Sequence, residues 1–471
     1  MRRTAKLIYL LLCTSIASAS AFAEEDVVAS PEYKVEHFEQ LCVAAENEEN
    51  YNTELLKSLR YLVQGDNGWV YRTSSDFIED FDTDGNYDDL KRFRDYLAIH
   101  GTSLMMLYVP TRGLMNPKDV PEGLYDYPKA IASYEAKLHM FREMGILVPD
   151  LEGMIKEYQS TPFFFLRDIH WEPEGAKKSA EYVARAIKES ELIDTDLDFD
   201  VNIVEEGSYT VTGGLADGIK QLCDEQYVLE YVKGYGFEEV VSSSEDSLFS
   251  DDVAEPEVVL LGTSFSRLPR MNFHGFLQKE LGAPVTNYAI SGGGDDGAWL
   301  KYFKSGEFLE NPPKLIVWEV SAYYDLNDKG MFAQLIPSAE MGCSEESALL
   351  TQSLPLQELS DDVNSVFFGD QFKDLNLNDI VLDVSFSEPD VNRMEFKLWY
   401  TDGQVKSARI SKPSRAETGG EFTFKLFSHL LKPKGGLMAM QLVSVEGETV
   451  SEYIDSKNEL NPELNVRVCT I

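Results

Sequence analysis

The chain has 471 residues, with 42 Lys and Arg against 81 Asp and Glu, and a formal charge of −39 at pH 7. Such a surface repels other polyanions, which excludes nucleic acid and anionic lipid as partners and makes any local basic patch conspicuous. The length predicts two or three domains.

Arg2, Arg3 and Lys6 precede an apolar run over 7–16 and the small-residue ending Ala21-Phe22-Ala23. This is the pattern of a secretory signal, and residues 1–23 are read as a signal peptide cleaved after Ala23. The run is too short to anchor in a bilayer, and no later segment is apolar for long enough to span one. Cys13 follows Leu12, not the small residue a lipoprotein signal requires, so a soluble exported protein is expected. Losing three positive residues takes the charge from −39 to −42 (−39 − 3). Setting Cys13 aside leaves four of the five cysteines, and an even number in an exported chain predicts two disulfides with three possible connectivities. Pairing Cys343, at a domain junction, with Cys469 would lock the tail onto the start of its own domain. Cys42 with Cys223 then follows.

Residues 55–64 have the spacing of a short helix, and the turn Gly65-Asp66-Asn67-Gly68-Trp69 feeds a strand at Val70-Tyr71. Asp80, Asp82 and Asp84 carry the spacing of a calcium loop. Lys91 stands where a bidentate carboxylate is needed, so a solvated acidic loop is the reading preferred and no metal is assigned. A helix is expected over 90–100 and an apolar strand over 103–109, closed by Pro110 and followed by Thr111-Arg112-Gly113. Then come a helix over 130–144, a strand over 146–151, a helix over 154–159, a strand over 162–166 and a helix over 176–189. Alternating strands and helices are the pattern of a parallel sheet covered on both faces. Residues 193–251 are polar and acidic and read as an insertion.

Val258-Val259-Leu260-Leu261-Gly262-Thr263-Ser264 is a buried strand ending in a sharp turn, which places Ser264 at the strand's carboxyl end, where open α/β sheets collect ligands. Taken alone, Gly262-Thr263-Ser264 reads more readily as a helix cap. A strand over 284–290 ends in Ser291-Gly292-Gly293-Gly294. Another, over 314–320, delivers Tyr323 to the same edge. From residue 347 short alternating segments at 380–386, 394–400, 405–410, 422–427 and 437–443 predict an all-β sandwich. The domains expected are therefore 24–346, α/β, and 347–471, all-β.

Acyl transfer through a serine needs a base for the hydroxyl proton and a carboxylate to orient that base. Of six histidines, only His170 joins a strand-end position to a neighbouring aspartate, Asp168, two residues away. Ser264 as nucleophile, His170 as general base and then acid, and Asp168 as the orienting group are the expected triad. A histidine that merely starts the following helix is the competing reading.

The Gly262-Thr263-Ser264 turn downstream of Asp168-x-His170-Trp171 resembles the SGNH-hydrolase-like alginate O-acetyltransferases of the AlgX/AlgJ family. Gly65-x-x-Gly68-Trp69, Val109-Pro110-Thr111-Arg112-Gly113 and Ser291-Gly292-Gly293-Gly294 extend the likeness over the whole exported chain. The resemblance implies a periplasmic enzyme, without cofactor, that passes acetyl groups through an acetyl-serine onto mannuronate hydroxyls of alginate. It also implies a C-terminal carbohydrate-binding module, a membrane O-acyltransferase as acetyl source and periplasmic export proteins as partners. The usual SGNH asparagine block, G-x-N-D, is missing, which leaves the Ser264 amide with Gly292 or Gly293 as oxyanion candidates. Tyr323 is a candidate active-site hydroxyl, and Arg112 a candidate partner for a uronate carboxylate.

Between 391 and 440 nine basic residues face four acidic ones. On alternating strands Lys397, Trp399, Lys406 and Arg409 can present charge and an aromatic plane to an acidic sugar. The residues themselves do not separate a transferase from a carbohydrate esterase, or either from a non-catalytic polysaccharide-binding scaffold.

Overall fold

The computed structural model describes residues 41–470 except 160–161, 196, 198, 212–213, 224–229, 241–256, 328, 357–364, 376–379, 427–434 and 458–461. The expected signal peptide, the acidic run at 242–246 and two of the nine basic residues, Lys432 and Lys434, lie outside the described residues. No helix among the described residues is long and apolar enough to cross a membrane.

The first elements are a hairpin of β1 (Leu62–Gln64) and β2 (Val70–Arg72) and the helix α1 (Asp88–Ile99). The segment 55–64 thus divides into a one-turn helix, Glu54–Ser58, and a strand. The central sheet is built from β3 (Ser103–Val109), then, beyond a two-stranded ribbon of β4 (Val201–Val211) and β5 (Glu230–Glu239), from β6 (Val258–Leu261), β7 (Val285–Asn287) and β8 (Leu315–Ser321). Its order is β3-β8-β6-β7, and every pairing is parallel. β6 and β8 are buried along their whole length, as the continuous apolar runs require of strands covered on both faces. Helices α2 (Tyr127–Glu143), α3 (Leu151–Tyr158), α4 (Pro173–Ser190), α5 (Phe273–Leu281), α6 (Gly297–Lys304) and α7 (Lys329–Ala339) accompany the sheet. Trp171, Trp299 and Trp318 are wholly buried in its core.

Two strands expected from the sequence shrink to single bridges. Leu147 pairs only with Met105, because Pro149 stands two residues on and Asp150 caps α3 by accepting from the Gly153 N–H. The aromatic run Phe163-Phe164-Phe165 does not join the sheet. Phe164 bridges back to Trp171, so the chain between them is a loop closed on itself.

The second layer pair is antiparallel. One sheet joins β10 (Ser365–Phe368), β15 (Leu437–Val445), β12 (Arg393–Tyr400) and β13 (Val405–Ser411), with β16 (Glu448–Thr449) on β15. The other joins β14 (Glu421–Lys425), β11 (Ile380–Phe386), β17 (Glu463–Thr470) and β9 (Ala348–Pro355). β9, β10 and β17 were not foreseen. No residue of β9 is fully buried, β10 has only four residues, and β17 sets Glu463, Asn465 and Arg467 between its apolar residues. The sandwich is seated on the α/β unit: Gln334 of α7 donates to the Ser411 carbonyl at 2.8 Å, and Lys301 of α6 pairs with Glu417 at 3.4 Å.

Both expected disulfides are present, Cys42–Cys223 and Cys343–Cys469. The second joins residues 126 positions apart, and Cys469 lies in β17, paired with β11. By loop-closure entropy, replacing both Cys343 and Cys469 with serine is expected to destabilise the sandwich by about 2–5 kcal/mol. Denaturant unfolding would check this, and unchanged midpoints would count against the estimate.

Candidate functional site

The turn after β6 is shaped by one buried carboxylate. Glu319, in β8 and wholly buried, accepts from the Thr263 N–H at 2.7 Å and from the Thr263 hydroxyl at 3.0 Å. Gly262 is required beside it, since a Cβ there would lie 2.6 Å from a Glu319 carboxylate oxygen. Burial pushes the Glu319 carboxyl upward, against the hydrogen bonds from Thr263. Thr263 also caps the four-residue helical turn Ser264–Arg267, its hydroxyl accepting from the Phe265 N–H. Thr263 is therefore the cap, and half-buried Ser264 follows it at the carboxyl end of β6.

The histidine comes from outside the sheet. Phe165 N–H donates to the His170 carbonyl at 3.2 Å and Glu172 N–H to the Phe163 carbonyl at 2.9 Å, closing a loop whose tip carries Asp168 and His170. The chain then enters α4, whose Gly175 sits where a Cβ would be 2.1 Å from the Phe163 carbonyl oxygen. Trp171 fixes the loop against the serine turn: its indole N–H donates to the Phe265 carbonyl at 3.1 Å. His170 Nε2 lies 2.7 Å from Ser264 Oγ, 94 residues away in sequence, and His170 Nδ1 lies 2.5 Å from Asp168 Oδ1. That carboxylate oxygen also accepts from the His170 N–H at 2.7 Å, so one aspartate fixes both the backbone and the ring.

Asp168 is buried, which opposes its charge. The His170 ring and its hydrogen bonds, with Arg112 further off, outweigh burial and hold the carboxyl below its usual range. A hydroxyl–imidazole–carboxylate line of this geometry can remove a proton from a serine as it attacks an ester carbonyl.

Arg112 does not face a substrate. It is 1% exposed. Its guanidinium donates to the carbonyls of Val70, Phe165 and Leu166 and pairs with Asp76 at 3.2 Å. It also lies over Trp69 at 5.0 Å and Tyr71 at 5.2 Å. The expectation that it meets a uronate is corrected: a strand-end arginine in sequence gave no sign that three carbonyls from distant segments converge on it. Tyr323 stands at the same rim, past the end of β8, its ring tilted against that of Tyr324 at 4.8 Å between centroids and with the Arg72 guanidinium 4.8 Å from its ring. Of the glycine candidates, Gly293 uses its N–H in a turn to the Ile290 carbonyl at 3.3 Å, while Gly292 follows a segment tied to the serine turn by Ile290 N–H and the Gly262 carbonyl. The Gly293 N–H is therefore already engaged. In the acidic loop, the Asp82 carbonyl accepts from the buried Lys137 ammonium at 2.9 Å and its carboxylate from the Tyr87 hydroxyl at 3.2 Å. Asp80 accepts from the Asp82 N–H. A lysine thus occupies the position next to the loop's carbonyl, and Asp84 makes no ligand cluster with its neighbours among the described residues.

On the sandwich, Arg393, Glu395, Lys397 and Trp399 alternate with buried Met394, Phe396, Leu398 and Tyr400 and share the outer face of β12. Arg409 joins them from β13, opposite Glu395 and paired with it at 3.4 Å. Lys406 does not. It is opposite buried Leu398 and in phase with Ala408 and Ile410, so it belongs to the inner face. Period-two alternation assigns Lys406 and Arg409 to different faces, so the four could not all share one. Lys412 is also withdrawn, its ammonium donating to the Ala416 carbonyl at 2.9 Å. One contributor was missed: Phe368, 73% exposed, lies opposite Ala439, which lies opposite Trp399, and Trp399 opposite Val405. These four form an apolar row across the sheet, visible only once β10 is placed at its edge.

Glu172, partly buried at the end of the histidine loop, has its carboxyl pushed up to about 8, first by burial and then by Glu230 and Glu174. An unfolded glutamate titrates near about 4.3. The folded state therefore holds this proton more tightly, and the stability it contributes is complete at low pH and lost as pH rises toward about 8. Glu172→Gln is expected to flatten the fall in Tm between about pH 5 and 8. Melting curves that run parallel for the two proteins across that range would contradict it.

Comparison with known proteins accords with this architecture. Residues 62–322 match the family model of the SGNH hydrolase-like domain of the acetyltransferase AlgX, and residues 342–470 match that of a C-terminal carbohydrate-binding module. The chain is 32% identical to the alginate biosynthesis protein AlgX of Pseudomonas syringae pv. tomato, over 96% of each chain. It is 32% identical to that of Pseudomonas aeruginosa, over 90% of each. The solved structure of Pseudomonas aeruginosa AlgX superposes with a TM-score of 0.76 at 28% identity, covering 91% of this chain and 99% of that one. A parallel-sheet domain that presents a serine at the end of β6, followed by a carbohydrate-binding β-sandwich, places this chain in the AlgX family of SGNH hydrolase-like proteins.

Proposed function

We propose that the chain is a periplasmic O-acetyltransferase that carries acetyl groups on Ser264 and delivers them to mannuronate hydroxyls of alginate during export of the polymer. The observation that carries this reading is the 2.7 Å approach of His170 Nε2 to Ser264 Oγ, with Asp168 behind the ring. His170 takes the hydroxyl proton as Ser264 Oγ bonds to the acetyl carbonyl of the donor. Negative charge on the carbonyl oxygen is met by the Ser264 N–H at the start of its helical turn, with Gly292 as the second amide. The C–O bond to the donor breaks and His170 returns the proton to the leaving oxygen. In the second half a sugar hydroxyl loses its proton to His170 and attacks the acetyl-serine; the sugar ester leaves and Ser264 regains its proton. Asp168, held ionised, keeps Nδ1–H toward itself and Nε2 free to accept.

Alginate as the substrate follows the name of the AlgX relatives, which are alginate biosynthesis proteins; a membrane O-acyltransferase as acetyl source and periplasmic export proteins as partners are what the family resemblance implies. The acceptor's chemistry is supported by this chain's own sandwich. An outer face with Arg393, Lys397 and Arg409 around an apolar row with Trp399 suits a polymer of carboxylated sugars, in a protein otherwise strongly acidic. An esterase would use the same triad; the acyl-enzyme would then pass its acetyl to water.

Two outcomes test the assignment. Ser264→Ala is expected to lower acetyl transfer to oligomannuronate by about 10⁴-fold or more while leaving polymer binding intact. Trp399→Ala is expected to weaken oligomannuronate binding by about tenfold, roughly 1.4 kcal/mol, and to leave turnover of a small acetyl ester unchanged. Undiminished polymer acetylation in Ser264→Ala would rule out the acetyl-serine route. Turnover of donor with no acetylated sugar formed would favour the esterase.

A further inference from the structure

The loop that carries Asp168 and His170 is neither helix nor strand, yet its peptide units are held on both polar sides. Phe165 and Leu166 each accept, through their carbonyls, from Arg112 Nη2 at 2.8 Å. On the other side the Leu166 N–H donates to Glu230 Oε1 at 2.7 Å and the Arg167 N–H to Glu230 Oε2 at 3.2 Å. Arg112 is 1% and Glu230 7% exposed. The two come from separate places: Arg112 from the turn after β3, Glu230 from the first position of β5 in the inserted ribbon. Arg112 is fixed in turn by Asp76 and by the Val70 carbonyl, and Val70 N–H donates to the Leu166 carbonyl at 3.0 Å. Asp76 is paired with Arg72 at 3.0 Å. No hydrogen bond or ion pair found among the described residues joins Arg112 or Glu230 to His170 or Ser264.

We infer that Arg112 and Glu230 are positioning residues, a two-sided clamp of opposite charge that sets where His170 meets Ser264. This rests on the catalytic reading of Ser264, His170 and Asp168. A carboxylate can accept both N–H groups at once, and a guanidinium can donate to several carbonyls at once, so each charge registers adjacent peptide units instead of a single atom. Buried peptide groups without partners are costly, which makes the clamped arrangement the one the loop keeps. Displacement of a catalytic base by about 1 Å is enough to cost about 100-fold in rate. The inserted ribbon thereby has a role in the acetyl-transfer site without lining it.

The test uses the full exported chain. Glu230→Gln keeps the side chain's size but turns an NH₂ toward one of the two N–H donors. The expected result is a fall of about 30- to 100-fold in kcat for a chromogenic acetyl ester, with KM within about twofold, and a matching slowing of Ser264 modification by a sulfonyl fluoride. A variant that matches the wild type in kcat would overturn the clamp, as would a loss confined to KM. A wild type inert toward both probes would instead overturn the catalytic reading and the positioning role with it. Should Glu230→Gln not fold, amide exchange in the wild type decides. Leu166 and Arg167 protected like the β6 amides support the clamp, and exchange at the rate of an open loop overturns it.

Discussion

An imidazole on an irregular loop meets a hydroxyl on a strand-end turn at 2.7 Å, and much of the buried charge in the α/β domain is arranged around that meeting. Regular strands set their own register through ladder hydrogen bonds, so the β6 end is positioned by the sheet itself. The partner loop has no ladder. Its place is fixed by its closure on Phe163 and Phe165, by the Trp171 indole, and by Arg112 and Glu230 on its two polar sides. Buried ions are poor contributors to stability compared with packed apolar groups, but each hydrogen bond they make fixes the peptide unit it touches. Beneath the serine, Glu319 acts on the turn in the same manner, through two bonds to one threonine.

How much of this was legible in the sequence follows from the range of each signal. Buried parallel strands announce themselves as short apolar runs, and β3, β6 and β8 were read with the right direction and edge. The sandwich strands β11, β12 and β13 were equally clear because alternation holds for seven or eight residues. The histidine and aspartate were legible because their spacing is local. What failed was convergent. Arg112 reads as a strand-end cation until the carbonyls of Val70, Phe165 and Leu166 are seen to meet it. Glu230 lies in a polar insertion, where nothing marks one glutamate among many. Phe368 becomes part of a surface row only through pairing across three strands.

The glycine-rich motifs show the same division. Gly65 and Trp69 form a closed turn, Gly65 N–H to the Trp69 carbonyl at 2.8 Å, and the Arg112 guanidinium lies over the Trp69 ring, 5.0 Å from its centroid. The Gly68 carbonyl accepts from Arg167 Nε at 3.4 Å. A turn that reads in sequence only as the lead into a strand is here part of the support for the histidine loop. Conversely, the glycines after β7 lie against the binding module: the Cβ position of Gly292 is 3.3 Å from Arg415 Cγ, and that of Gly297 is 3.4 Å from Pro413 Cγ.

That joint bears on the choice between transfer and hydrolysis. An acetyl-serine partitions between water and a sugar hydroxyl according to how long the hydroxyl stays in line for attack and how well water is excluded. A module on a flexible tether would raise the local concentration of polymer without orienting it. Here the loop of Ser411 to Glu417 is held by Gln334 and Lys301 and rests on the glycines that follow β7, the strand next to the serine's own. A sugar chain gripped by the sandwich would therefore be presented to the α/β domain in one orientation. Under the proposed reading the module would then do more than bind: an acceptor held in one orientation would lengthen the time in which a sugar hydroxyl outcompetes water.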